Sequence, residues 1–113
     1  MELRVQHVRQ ARRRRRMSEL VLLPAVRQLE MLQAREISVT DLAESHLSQI
    51  ERLNPQLNVF ADFDAGRVRE QAHGMDAVVM ESRGPLHGLP VTVKSSIATA
   101  GYKCEIGSLN HKG

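Results

Sequence analysis

Lys94 is the residue whose place in the sequence most suggests chemistry. It closes the run Val91-Thr92-Val93, which has the β-branched character of a strand. Pro85 and Pro90 restrict the backbone that leads into it. A lysine carried into a dry interior loses the solvation of its charged form, so its pKa falls. Once neutral, it can accept a proton from a hydroxyl. The competing reading is a lysine at a strand end whose amine reaches water, and spacing alone favours that reading.

The neighbouring nucleophiles carry less. Side chains of adjacent strand residues point to opposite faces, which argues against Ser95 as a partner of Lys94. Ser96 would share the face of Lys94 only in a continuing strand, and Gly101 with the polar run before it argues that the strand ends. No G-x-S-x-G elbow or S-x-x-K motif occurs here. Residues 87–96 hold no Asp, so a Ser-His-Asp set would need distant residues. Lys103 would lower the pKa of Cys104, yet no histidine adjoins it, and Cys104 reads as a buried, unreactive thiol. His46 falls beside the apolar face of a helix and reads as a packing residue rather than a ligand. One cysteine and five scattered histidines lack zinc-ligand spacing, and no metal or other cofactor is expected.

The elements that must position Lys94 are mostly helical. Pro24 suits a first helical position, and Val26, Leu29 and Leu32 follow at spacing three, which predicts a helix over about residues 24–35. Ser38 and Asp41 have capping-box spacing. Val39, Leu42, Ala43, His46, Leu47, Ile50 and Leu53 then mark a second helix, which Asn54-Pro55 should end. Residues 57–60 read as extended. Asp64 is a candidate N-cap for a third helix over about residues 65–82, with Val68, Ala72, Met75 and Val79 on its apolar side and Gly66 and Gly74 weakening it. Residues 84–90 contain two Gly and two Pro and read as a conformationally fixed loop. Residues 91–94 then form a short strand, apolar on both sides of Thr92 and hence interior.

Charge divides the chain. Residues 1–16 carry seven Arg against one Glu, a net +6, while residues 17–113 sum to −3. Five consecutive arginines, residues 12–16, repel one another and predict a disordered tail. Met17-Ser18-Glu19 reads as the natural start. The tail contains no Ser, which weakens a targeting peptide, and no aromatic that could stack on bases, so nucleic acid is not an expected partner. A single cysteine excludes an intrachain disulfide and an oxidised secreted scaffold, so a cytoplasmic location is expected. No apolar run approaches the roughly 18 residues of a membrane span.

The string Gly84-Pro85-Leu86-His87-Gly88-Leu89-Pro90-Val91-Thr92-Val93-Lys94 resembles the amidase signature family at every position of its G-P-L-H-G-(V/I/L)-P-(V/I)-x-(V/I)-K pattern. Arg35-Glu36-Ile37-Ser38-Val39 stands where the family commonly has Gly-Glu-Ile-Ser-Ser. Residues 50–58 resemble its I-E-x-x-N-P-x-L-N. The resemblance covers about residues 20–113, and its eleven-residue signature is highly specific.

The resemblance implies an α/β fold, of which this chain would hold the N-terminal helices and first core strands. It implies amide C–N cleavage through an acyl-enzyme with a Ser–cis-Ser–Lys triad, acting on a small-molecule amide without a cofactor. The lysine that ends the signature strand is the triad base, and that position is Lys94. Ser95 stands where the family most often has Asp or Glu. The family's two serines lie in a Gly- and Ser-rich segment well downstream, and no Gly-Gly-Ser-Ser-type run occurs here. Residues 17–113 are therefore expected to be a truncated N-terminal part of an amidase domain, inactive alone and prone to associate through an unpaired strand. Two alternatives are an A-subunit fragment of a tRNA-dependent amidotransferase and a non-catalytic helical module with a basic nucleic-acid-binding arm.

Overall fold

The computed structural model describes residues 1–111. Four helices dominate: α1 (Glu2–Leu20), α2 (Ala25–Gln33), α3 (Val39–Leu57) and α4 (Ala65–Asp76). Short 3-10 turns span Met80–Ser82 and Leu109–His111, and there is no strand among the described residues.

The start of α3 follows from the sequence. The Ser38 hydroxyl accepts from the Asp41 amide at 2.9 Å, and the Asp41 carboxylate accepts from the Ser38 amide at 3.2 Å, completing the capping box. Its end does not. The helix runs through Pro55 to Leu57 instead of stopping at residue 53. A proline this near a helix end forfeits only one backbone bond. Asn58 then closes the helix in the left-handed region (φ 49°), its amide donating to the Asn54 carbonyl at 2.7 Å. The Asn54 side chain also brackets the Phe60 backbone, accepting from its amide at 2.9 Å and donating to its carbonyl at 3.2 Å.

α4 opens at Asp64, whose carboxylate accepts from the Arg67 amide at 3.0 Å. It stops at Asp76, short of the expected residue 82, because side chains take over its last carbonyls. His87 Nε2 donates to the Met75 carbonyl at 2.8 Å, and Arg83 donates to the carbonyls of Asp76 and Val78 at 3.1 and 2.9 Å. The α3–α4 pair is tied by a bidentate contact in which Arg69 donates to both Glu44 oxygens at 2.9 Å, with Glu51 at 3.3 Å. Hydrogen bonds from Arg69 hold the Glu44 carboxyl below its ordinary range against the opposing effect of burial, with the Arg69 charge adding to the shift.

α2 buries Met31 and Leu32, but Val26 is exposed and Gln28 takes the inner position. A buried amide must be satisfied. Gln28 Nε2 donates to the carbonyls of Leu20 and Leu23 at 2.9 and 3.0 Å, and its Oε1 lies 3.3 Å from His46 Nε2. His46 is thus the half-buried packing histidine that its helical position predicts. Burial lowers its pKa.

The Arg-rich segment is helical, not disordered. Arginine is a good helix former and no Gly or Pro interrupts residues 1–23. Arg15 pairs with Glu19 at 3.1 Å, one turn on. The last turn docks through buried Leu20 and through the Met17 carbonyl, which accepts from the Ser45 hydroxyl. Residues 1–16 stay exposed. Their projection gives a radius of gyration of 16.6 Å, against about 13 Å for a compact chain of this length.

The core is small. Leu20, Met31, Leu32, Ile37, Val39, Leu42, Ala43 and Ala72 form one cluster, with Leu42 fully buried and Leu23, Leu29, Val68 and Met75 packed around it. No described helix is long and apolar enough to cross a membrane.

Candidate active-site segment

Residues 84–105 lie on the helical unit as a non-helical strap fixed at both ends of α4. At the C-terminal end, His87 holds the Met75 carbonyl. Beside it Gly88 is buried at φ +85°, where a Cβ would sit 2.6 Å from Val39 Cγ2 and 3.3 Å from Leu32 Cδ1. Only a residue without a side chain fits that approach and that backbone angle. At the N-terminal end, Arg67 donates to the carbonyls of Gly101 and Ala100 at 2.6 and 3.4 Å and stacks 4.5 Å from the centre of the Tyr102 ring. The Lys103 amide donates to Asp62 at 2.8 Å.

Lys94 sits midway along this strap. It is exposed, and its carbonyl accepts from the Ile97 amide at 2.9 Å, so residues 94–97 make a turn. The strand expected over residues 91–94 is therefore not formed. A strand needs a neighbour to take its amides and carbonyls, and the described residues offer none. Val91, Val93 and Ile97 are 76, 51 and 57% exposed in consequence. The dry surroundings expected for the Lys94 amine are absent for the same reason. Ser95 and Ser96 occupy the middle of the turn, and no hydrogen bond joins either to Lys94 among the described residues. Cys104, expected to be buried, is exposed and free. No group of three His, Cys, Asp or Glu side chains gathers into a metal site among the described residues.

The anchors that the sequence left unmarked are Asp76, Arg83, Arg67 and Tyr102. Asp76 reaches across to α3, accepting from the Val39 amide at 2.7 Å, the Thr40 amide at 3.0 Å and the Thr40 hydroxyl at 2.6 Å. Burial pushes its pKa up, but the hydrogen bonds from Thr40 and Val39 and the Arg83 charge outweigh it, so the carboxyl titrates below its ordinary value. The signature loop is thereby seated where the start of α3 and the end of α4 meet.

The amidase family model matches residues 41–113, which contain this whole strap. The chain belongs to the amidase family. Among its relatives is the A subunit of the glutamyl-tRNA(Gln) amidotransferase of Synechococcus sp. (strain CC9605), 33% identical over 81 residues, 70% of this chain and 16% of the relative. The corresponding A subunit of Acidothermus cellulolyticus is 33% identical over 94 residues, 81% of this chain and 19% of its own length. That of Symbiobacterium thermophilum is 35% identical over 95 residues, 81% and 20% respectively. This amidase-family chain thus spans about a fifth of the length of the curated relatives it matches. No solved structure matches it.

Proposed function

We propose that this chain is the N-terminal portion of an amide-cleaving enzyme of the amidase family, of the amidotransferase A-subunit kind, with Lys94 as the base of a Ser–cis-Ser–Lys triad. The observation that carries this reading is the unbroken signature at residues 84–94, seated on α4 through His87 and Gly88. In a complete domain, residues 91–94 would pair as an interior strand of an α/β core. The exposure of Val91 and Val93 supports this, since both are apolar and have no cover here. Covering them would also desolvate the Lys94 amine and favour its neutral form.

The chemistry then balances simply. A nucleophilic serine, supplied from outside these residues, attacks the amide carbonyl. Its proton passes through a bridging serine to the Lys94 amine, and the same proton returns to the departing nitrogen. Residues 1–113 alone supply only the base and are expected to release no ammonia from simple amides. The relatives favour an amidotransferase component over a free-standing amidase, and a cytoplasmic location belongs to the same reading.

A chimera tests it. Residues 17–113 would replace the matching segment of the Acidothermus cellulolyticus A subunit, in its native assembly, with glutamine-dependent ammonia release as readout. Activity that is lost in Lys94→Ala and kept in the exposed control His73→Ala is the expected result. A soluble, cooperatively melting chimera that releases no ammonia would overturn the reading, and so would full activity in Lys94→Ala.

A further inference from the structure

At 100° per residue, Arg12 and Arg16 fall within about 60° of Arg9 on α1. The three are exposed and share one stripe about 10 Å long, at spacings of three and four, on the side of the helix that also carries Arg13 and, beyond it, the buried Leu20. Arg13 and Arg15 are engaged by Asp41 at 3.7 Å and Glu19 at 3.1 Å, whereas Arg4, Arg9, Arg12, Arg14 and Arg16 have no carboxylate partner among the described residues. Unpaired like charges one turn apart destabilise a helix, and this stripe keeps Arg12 and Arg16 in that relation. An anion placed between them converts the repulsion into charge-assisted hydrogen bonds.

From this stripe we infer that α1 is an arm that binds the phosphate backbone of RNA through Arg9, Arg12 and Arg16. The guanidinium fork matches phosphate oxygens two at a time, and phosphates recur along a strand as the arginines recur along the helix. The missing aromatics, which argue against base stacking, do not bear on backbone contact. They make the binding indifferent to sequence. A membrane surface fits less well, because such helices need a broad apolar face, and the large exposed apolar side chains of α1 are Leu3, Val5 and Val8, all in its first two turns. This inference does not depend on the amide chemistry.

Fluorescence anisotropy of a short labelled RNA duplex with the full chain, across a salt series, tests it. Arg9→Gln/Arg12→Gln/Arg16→Gln should weaken binding about tenfold or more at low salt and flatten the log–log salt slope by about 3. A control with the same loss of charge on the body, Arg35→Gln/Arg52→Gln/Lys103→Gln, should keep most of the affinity. Circular dichroism checks that both variants retain their helices. No salt-dependent binding, equal losses in the two variants, or capture by anionic phosphatidylserine vesicles that RNA fails to compete away would each overturn the proposal.

Discussion

The carboxylate of Asp76, the last residue of α4, accepts both the amide and the hydroxyl of Thr40, at 3.0 and 2.6 Å, in the first turn of α3. With the Val39 amide at 2.7 Å and the Ser38–Asp41 capping box, this satisfies the otherwise orphaned donors at the start of α3. Negative charge at a helix N-terminus is also favoured by the helix dipole. Asp76→Ala is expected to cost about 1–3 kcal/mol, and Thr40→Val less. The double variant should cost less than the two singles together, because both remove the same bond. Urea melts of the four proteins measure this.

Acid should expose the same contact. The Asp76 carboxyl binds its proton less readily in the folded chain than in the unfolded one. Its stabilisation is therefore complete above the ordinary aspartate range and disappears as the pH falls through the lower folded value. Asp76→Ala should flatten that part of the stability–pH curve.

His46 predicts a loss nearer neutrality. Burial depresses its folded pKa, so below about pH 6.5 the unfolded chain takes up a proton that the folded one refuses. Stability should fall from there down to the folded value. His46→Gln, which keeps a donor for Gln28, should remove that slope, and a series of thermal melts between neutral and mildly acid pH would show it.

Gly88→Ala should be among the most damaging single substitutions in the strap. The added carbon meets Val39 and must adopt φ +85°. A cost of about 2–4 kcal/mol is expected, with faster proteolytic cleavage within residues 84–96. An unchanged melt would mean that the loop does not sit against Val39 and Leu32.

Lys94→Ala, by contrast, should change stability by no more than about 0.5 kcal/mol in the isolated chain, because the side chain is exposed. Its amine should acetylate at a rate close to that of exposed Lys103, as peptide mass mapping would report.

The uncovered apolar side chains of the strap should make the isolated chain self-associate. Val91→Thr/Val93→Thr/Ile97→Thr is expected to reduce the concentration dependence of its elution volume, since each exposes less apolar surface.

Local rules gave the starts of helices from the residues themselves. Ser38 with Asp41, and Asp64 alone, cap with atoms three residues away, so their geometry is written in their spacing. The signature at residues 84–94 was likewise complete as a string, and it carried the family. Helix ends were harder. Pro55 stays within α3 because a closing Asn58 and the Asn54–Phe60 bracket compensate for one lost bond. α4 stops at Asp76 because Arg83 and His87, up to twelve residues away, take its carbonyls.

What the sequence determined by itself is the family signature at residues 84–94 and the amphipathic helices beneath it, because both depend on residue type and short-range order. The tertiary structure alone decided the rest. Asp76 and Thr40 meet across 36 residues, and Arg67 and Gly101 across 34. The run at residues 91–94 makes no strand here, because a strand is completed by hydrogen bonds to neighbours that its own sequence cannot supply. Whether Lys94 is dry or wet is likewise decided by its neighbours in space, since desolvation is a property of what surrounds a group.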